Sequence, residues 1–152
     1  MEISTKEDIE VPVERVYAEA TNFEHLERQI MRRGIELRRG DPAGAGSHAW
    51  HAVFTFRGRA RAAEITLIEE DAPNLLVYRS LTDGLEVLTR IEFVALSRSR
   101  TRIAMMLELK PRTLSARLMV QSLKLARANL EKKFRVRMAD YAQSVEDRLK
   151  RA

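Results

Sequence analysis

The sequence predicts one α+β domain in which a curved antiparallel sheet of about seven strands wraps around a long C-terminal helix. Three observations lead to this fold class. The chain has 152 residues, which fits a single compact domain spanning 1–152. Its central part is a series of strand-like segments separated by short turn-forming sequences. Its C-terminal part repeats apolar residues every three or four positions, as an amphipathic helix does.

The N-terminal segment predicts a strand followed by two short helices. The strand ends near Val11, because Pro12 favours an extended predecessor and suits the first turn of a helix. Residues 13–17 then carry apolar side chains at helical spacing. Thr21 and Asn22 are natural helix caps, and they precede a second short apolar repeat that begins at Phe23. We therefore expect two helices in a V-shaped connection.

The middle of the chain predicts an antiparallel meander. Its predicted strands are His48 to Phe56, Arg59 to Glu69, Asn74 to Thr82, Leu85 to Leu96 and Thr101 to Leu109. A separate strand is predicted before the loop, from Ile30 to Arg39. From His48 onward the separators are two to four residues long, so consecutive strands should pair with each other. The loop-like stretch Gly40 to Gly46 is too short to separate two domains.

The C-terminal segment predicts one long helix. From Arg112 to about Lys150 there is no glycine or proline, and the apolar repeat corresponds to about ten turns at 3.6 residues per turn. An intermolecular coiled coil could use the same stripe. We favour packing on the chain's own sheet, because a meander with one apolar face needs a cover.

The pair Asp83 and Gly84 reads as a two-residue hairpin turn, which fixes which strand residues face each other. One face of this hairpin and of the next strand is then mostly apolar, while the charged residues point outward. With only 6% aromatic residues the chain should leave space beneath that face, and we predict a cavity for a small apolar ligand. Its predicted lining residues are Tyr78, Ser80, Val87, Thr89, Ile91, Met105 and Leu107.

Two alternatives stay open at this point. The three polar residues on that wall are also compatible with ordinary sheet positions whose hydroxyls are satisfied by neighbours. The register around Arg57 to Arg59 is not fixed by the sequence. Either Trp50, Ala52, Phe54 and Glu64 face the cavity, or His51 and Val53 do.

The order of elements and several short segments resemble the START-like superfamily, also called SRPBCC, and in particular its polyketide cyclase/dehydrase-like members. The segments that carry the resemblance are Val11 to Tyr17, Phe56 to Ala60, Thr101 to Ile103 and Leu114 to Leu118. The resemblance covers essentially the whole chain and implies the helix-grip fold. It also implies a hydrophobic cavity under the long helix, open near the short helices and hairpin loops. On that basis Met119 and Leu123, near the start of the helix, join the predicted ligand contacts.

The sequence argues against several kinds of site. The chain has no cysteine, so it has no disulfide, thiolate metal site or thiol nucleophile. His48 and His51 would point to opposite faces of one strand, and we therefore expect no metal site. No phosphate-binding loop or hydrolase elbow is present, and no cofactor is predicted. For a cyclase the candidate groups are Glu64 or a histidine with Tyr78 or Arg79, but nothing in the sequence selects a catalytic residue.

The charge is distributed unevenly along the chain. The net charge is +5, but residues 98–152 contain 15 basic and 5 acidic residues, whereas residues 1–97 contain 12 basic and 17 acidic residues. Three functions remain as hypotheses: a carrier of a lipid, quinone or polyketide-like molecule, an enzyme acting on such a molecule, and an interaction protein using the basic helix. The lack of aromatics interleaved with the basic residues argues against nucleic acid and leaves peripheral membrane contact open.

The polar N-terminus and the absence of a long apolar run lead us to expect a cytoplasmic protein with no transmembrane segment. The oligomeric state is not predicted.

Overall fold

The computed structural model describes residues 1–41 and 47–151 and contains seven strands and four helices in them. The strands are β1 Glu2–Ile9, β2 Glu36–Gly40, β3 His48–Phe56, β4 Arg59–Asp71, β5 Leu75–Thr82, β6 Leu85–Ser97 and β7 Arg100–Pro111. The helices are α1 Val13–Ala20, α2 Phe23–Arg32, α3 Leu114–Leu125 and α4 Arg127–Arg151. Most of the predicted loop from Gly40 to Gly46 lies outside the described residues.

The sheet has the order β1-β7-β6-β5-β4-β3-β2, and every neighbouring pair is antiparallel. The predicted meander from β3 to β7 is therefore confirmed. β2 extends it by pairing with β3, and β1 pairs with β7 at the other end of the sheet. The predicted β5–β6 register is confirmed as well, since Tyr78 faces Thr89 and Thr82 faces Leu85. Asp83 and Gly84 have φ values of 46° and 75°, as the two positions of a type I′ turn require.

The second helix is longer than the sequence predicted. Ile30 to Arg32 belong to α2 and not to a strand, and β2 begins only at Glu36. The side chain of Asn22 accepts a hydrogen bond from the backbone N–H of His25 at 3.3 Å, which confirms the predicted cap. With this start, Ile30 falls on the same helix face as Phe23, seven residues earlier, and helical packing prevails over strand propensity there.

The predicted single C-terminal helix is wrong in one respect, because it is divided at Ala126 into α3 and α4. The backbone N–H of Ala126 donates to the carbonyl of Leu123 at 3.0 Å, three residues back, so the last turn of α3 is tightened. Neither glycine nor proline marks this break, and the apolar repeat runs through it. The pattern therefore gave no signal for it.

The main core lies between the concave face of the sheet, α1 and α4. Its fully buried members include Ile9, Val16, Leu67, Leu76 and Phe93. α4 contributes Met138, Ala142 and Val145 to the same cluster, so this helix packs on its own sheet. A second, smaller cluster of Leu85, Ala116 and Val120 lies beneath α3. The described residues thus bury apolar side chains at two places under the C-terminal helices.

Candidate functional site

A cavity of about 420 Å³ lies between the sheet, α2 and the middle of α4. The helices line it with Ala20, Phe23, Leu26, Glu27, Ile30, Met138 and Tyr141. The strands line it with Leu37, Trp50, Ile65, Tyr78, Ser80, Thr89, Ile91, Phe93, Ile103 and Met105. Its size and its mostly apolar lining are those of a small-molecule site.

The register of β3 and β4 decides which of their residues face this cavity. Trp50 pairs with Ile65, and both side chains point inward. His51 pairs with Glu64 on the outer face, where the imidazole Nδ1 and a carboxylate oxygen form an ion pair when the histidine is protonated. Of the two alternatives, the structure thus has Trp50 facing the cavity and His51 facing outward. Glu64 was expected on the same side as Trp50, but it lies on the outer face.

Aromatic rings form one side of the cavity. The centroid of the Phe23 ring lies 5.4 Å from that of Trp50, and the Trp50 centroid lies 6.1 Å from that of Tyr78. The His48 ring stacks with that of Trp50 at a centroid distance of 6.0 Å and lies 4.4 Å from that of Phe23. These rings connect α2 to the sheet, so the helix is held over the cavity by aromatic packing.

Glu27 is the charged residue among the described residues that line the cavity, and its carboxylate already has partners. It accepts a hydrogen bond from the indole Nε1 of Trp50 at 2.7 Å and from the Nε of Arg39 at 2.8 Å. The Arg39 hydrogen bond is the main reason that the pKa of Glu27 lies below its ordinary value, and the Trp50 hydrogen bond acts in the same direction. Glu27 therefore ties α2 to both β2 and β3.

Four residues that carry a hydroxyl group line the cavity: Tyr78, Ser80, Thr89 and Tyr141. Among the described residues, no fully buried side-chain nitrogen or oxygen lacks a hydrogen-bond partner. No side-chain hydrogen bond joins these four hydroxyls to another described residue, so they border open space. Burial raises the pKa of Tyr141 to about 12 and raises the pKa of Tyr78 further, with the neighbouring Tyr141 as a second cause for Tyr78. Both phenols therefore keep their protons at neutral pH and can donate a hydrogen bond to a bound molecule.

The structure brings together five of the nine residues predicted to contact a ligand. Tyr78, Ser80, Thr89, Ile91 and Met105 all line the cavity.

The other four lie elsewhere among the described residues. Val87 packs against the cluster under α3, and Leu123 is buried within α3. Leu107 lies on β7 beyond Met105, and Met119 is half-buried on α3. The cavity lies beneath α4 and not beneath the start of α3, so the side chains from α3 do not line it.

The candidate acid–base pairs from the sequence do not come together in the cavity. Arg79 points outward and forms an ion pair with Glu86 at 3.5 Å, and Glu64 is also outside. This leaves Tyr78 as the candidate that lines the site. No group of three or more potential metal ligands occurs in residues 1–41 and 47–151.

Sequence reasoning missed the contribution of α2 to the cavity. The spacing of Phe23, Leu26 and Ile30 follows one helix face, and this pattern could have shown an apolar surface facing the sheet. Glu27 within that face gave no separate signal, because a glutamate on a short helix is most often solvated.

The helices of the described chain include none that is long and apolar enough to cross a bilayer.

Comparison with known proteins identifies the fold. No protein family's sequence profile matches the chain, and no curated protein matches its sequence. Solved structures do match it. An aromatase/cyclase from a Streptomyces species has a TM-score of 0.69 at 12% identity, with 98% of this chain and 95% of that chain covered. A protein from Thermus thermophilus has a TM-score of 0.66 at 18% identity, with 95% and 97% covered.

A START superfamily protein from Mycobacterium smegmatis has a TM-score of 0.57 at 12% identity, with 87% of this chain and 95% of that chain covered. At these identities the similarity concerns the fold. The chain has the START-like, helix-grip fold, as its sequence predicted.

Proposed function

We propose that this START-like protein binds a small, uncharged and mostly apolar molecule of the lipid, quinone or polyketide-like class in the cavity beneath α4. The observation that carries the proposal is the cavity itself. Its volume is about 420 Å³, its lining is mostly apolar, and four lining residues carry hydroxyls that have no hydrogen-bond partner among the described residues. A pocket that is apolar with a few placed polar groups suits a ligand with the same distribution.

The charges around the cavity support an uncharged ligand. Among the described lining residues none is lysine, arginine or histidine, and the carboxylate of Glu27 is engaged by Trp50 and Arg39. An anionic headgroup would lose its hydration there without meeting a cation, which is costly. A ketone or hydroxyl oxygen would instead meet the phenols of Tyr78 and Tyr141 as donors.

The fold also permits an enzyme, and one observation favours it as a second candidate. Two protonated tyrosines facing one cavity could polarise a ketone oxygen, as a cyclase or dehydratase requires. Such a reaction also needs a group that takes up a proton near neutral pH. The described lining offers only Glu27 as a base, and its low pKa and its two partners make it a weak one. We therefore place binding first.

Native mass spectrometry of the purified protein, with denaturing extraction of any bound molecule, tests the proposal. We expect a co-purifying, uncharged apolar ligand at close to one per chain. A protein that stays free of ligand under gentle conditions, and that fails to bind a fluorescent apolar probe, would contradict it.

A matched pair of variants locates the binding. Ser80→Phe fills the cavity from β5, whereas Leu81→Phe adds a similar ring on the opposite, exposed face of the same strand. We expect Ser80→Phe to lower ligand occupancy at least tenfold, and Leu81→Phe to leave it unchanged. Equal occupancy in the two variants would place the ligand elsewhere.

A further inference from the structure

The helix α3 has two apolar faces, and only one of them is buried. Ala116, Val120 and Leu123 face the protein interior. Leu114, Leu118 and Leu125 are exposed, with 74%, 64% and 92% of their surface accessible. At 3.6 residues per turn these three leucines fall within about 40° of arc, on the side of the helix opposite the buried residues. We call Leu114, Leu118 and Leu125 the outer stripe.

Basic side chains accompany the outer stripe. Arg117 and Lys124 lie about 60° to 80° to one side of it, and neither forms an ion pair with a described residue. Arg57, in the β3–β4 turn, donates a hydrogen bond from Nη1 to the Oγ of Ser122 at 3.0 Å and so adds a third cation beside α3. The sequence contains no acidic residue from 109 to 130. The helix itself therefore combines an exposed apolar stripe with basic side chains and carries no acidic residue.

We propose that the outer stripe and its flanking cations dock on an anionic lipid membrane, with α3 lying parallel to the surface. An interfacial helix requires apolar side chains that enter the acyl boundary and basic side chains at the level of the phosphates, and α3 presents both. A second copy of this chain fits less well, because pairing the two stripes would bring Arg117 and Lys124 of both copies together. This inference goes beyond the proposed function and does not depend on a ligand in the cavity.

Vesicle co-sedimentation tests the proposal with the full chain. The probes are vesicles of phosphatidylcholine alone and vesicles with about one third phosphatidylserine. We expect binding to the anionic vesicles at low salt, weak binding to the neutral ones, and a loss of binding as the salt concentration rises. Absence of binding to the anionic vesicles at low salt would overturn the proposal.

Matched variants separate the two contributions. Leu118→Gln and Leu125→Gln should each weaken binding about tenfold, since each removes one leucine from the acyl boundary. Lys124→Gln should weaken it about fivefold, whereas Arg98→Gln, an exposed change of the same charge in the β6–β7 turn, should have no effect. Because these side chains are exposed, the variants should melt at the wild-type temperature. Binding that is equal in the leucine variants and the wild type would overturn the proposal.

Two further measurements identify a different occupant. Analytical ultracentrifugation should show no oligomer that Leu125→Gln dissociates, and such an oligomer would make a second copy the occupant. A short duplex DNA should bind more weakly than the anionic vesicles and without dependence on Leu118. DNA binding as tight as vesicle binding, and equally sensitive to Lys124→Gln, would overturn the membrane proposal in favour of nucleic acid.

Discussion

Replacing Glu27 should reveal how strongly α2 is held over the cavity. The indole N–H of Trp50 is buried, with 6% of that residue exposed, and its partner is the Glu27 carboxylate. Glu27→Gln keeps an acceptor for this N–H but removes the charge. The Trp50 hydrogen bond then weakens from a charge-assisted to a neutral one, which should lower the free energy of unfolding by about 1 kcal/mol. Glu27→Leu leaves the N–H without a partner and should cost about 2–3 kcal/mol.

Arg39→Gln is the control that removes only the second partner. Because 57% of the Arg39 side chain is exposed, water screens its ion pair with Glu27, and this variant should cost the least of the three. Urea denaturation at neutral pH, with unfolding followed by tryptophan fluorescence, measures all three changes. Equal losses of stability in Arg39→Gln and Glu27→Leu would show that the Trp50 hydrogen bond does not contribute more to stability than the Arg39 ion pair does.

The contribution of Glu27 to the free energy of unfolding should depend on pH. The pKa of Glu27 is lower in the folded protein than its ordinary value of 4.5, chiefly because of the Arg39 hydrogen bond. Its ionised form therefore stabilises the fold fully above pH 4.5, and this contribution is lost as the pH falls through the folded-state pKa. The stability difference between wild type and Glu27→Gln should shrink in that acidic range. If this stability difference stays constant down to the lowest pH at which the protein folds, the charge of Glu27 does not cause it.

Two further predictions concern the scaffold. Gly84 and Gly58 both have positive φ, but a Cβ on Gly84 would lie 2.5 Å from the Oγ1 of Thr113, whereas a Cβ on Gly58 would meet nothing within 4 Å. Gly58→Ala should therefore lower the free energy of unfolding by about 1 kcal/mol, and Gly84→Ala should lower it clearly more, as measured by thermal unfolding. Equal losses in the two variants would contradict the predicted clash. The hydroxyl of Thr101 is fully buried and donates to a backbone carbonyl at 2.7 Å, while the similar hydrogen bond of Thr82 at 2.8 Å is reachable by water. Thr101→Val should lower the free energy of unfolding by about 1–3 kcal/mol and Thr82→Val by much less, as measured by chemical denaturation. Equal losses in the two variants would contradict this prediction.

The sequence was most informative where local chemistry determines geometry. The turn at Asp83 and Gly84 requires positive φ at both positions, and this fixed the β5–β6 register and placed Tyr78 and Thr89 on the concave wall. Asn22 marked the start of α2 in the same way. In both cases a few adjacent residues determine the conformation, so no knowledge of the rest of the fold was needed.

The sequence was less informative where distant elements decide the outcome. The division at Ala126 and the position of the cavity along α4 depend on how the helices pack on the sheet, and the apolar repeat is the same on both sides of the break. For this reason Met119 and Leu123 were placed at the cavity by resemblance, although Met138 and Tyr141 line it. Glu27 joined the site only because β2 and β3 bring Arg39 and Trp50 to it.

The pairing of β1 with β7 has a consequence for the order in which the chain folds. Ile3 pairs with Leu107 across more than a hundred residues, whereas each later strand pairs with its neighbour through a short connection. Closing so long a loop costs about 3 kcal/mol more than closing a hairpin of a few residues. We therefore expect the hairpins of β3 to β7 to form first, which pulse-labelling hydrogen exchange would show as early protection of their amides. Until β1 pairs with it, β7 is an open sheet edge that includes Met105 and Leu107. We therefore expect the chain to be most prone to aggregation before the N-terminal strand has paired.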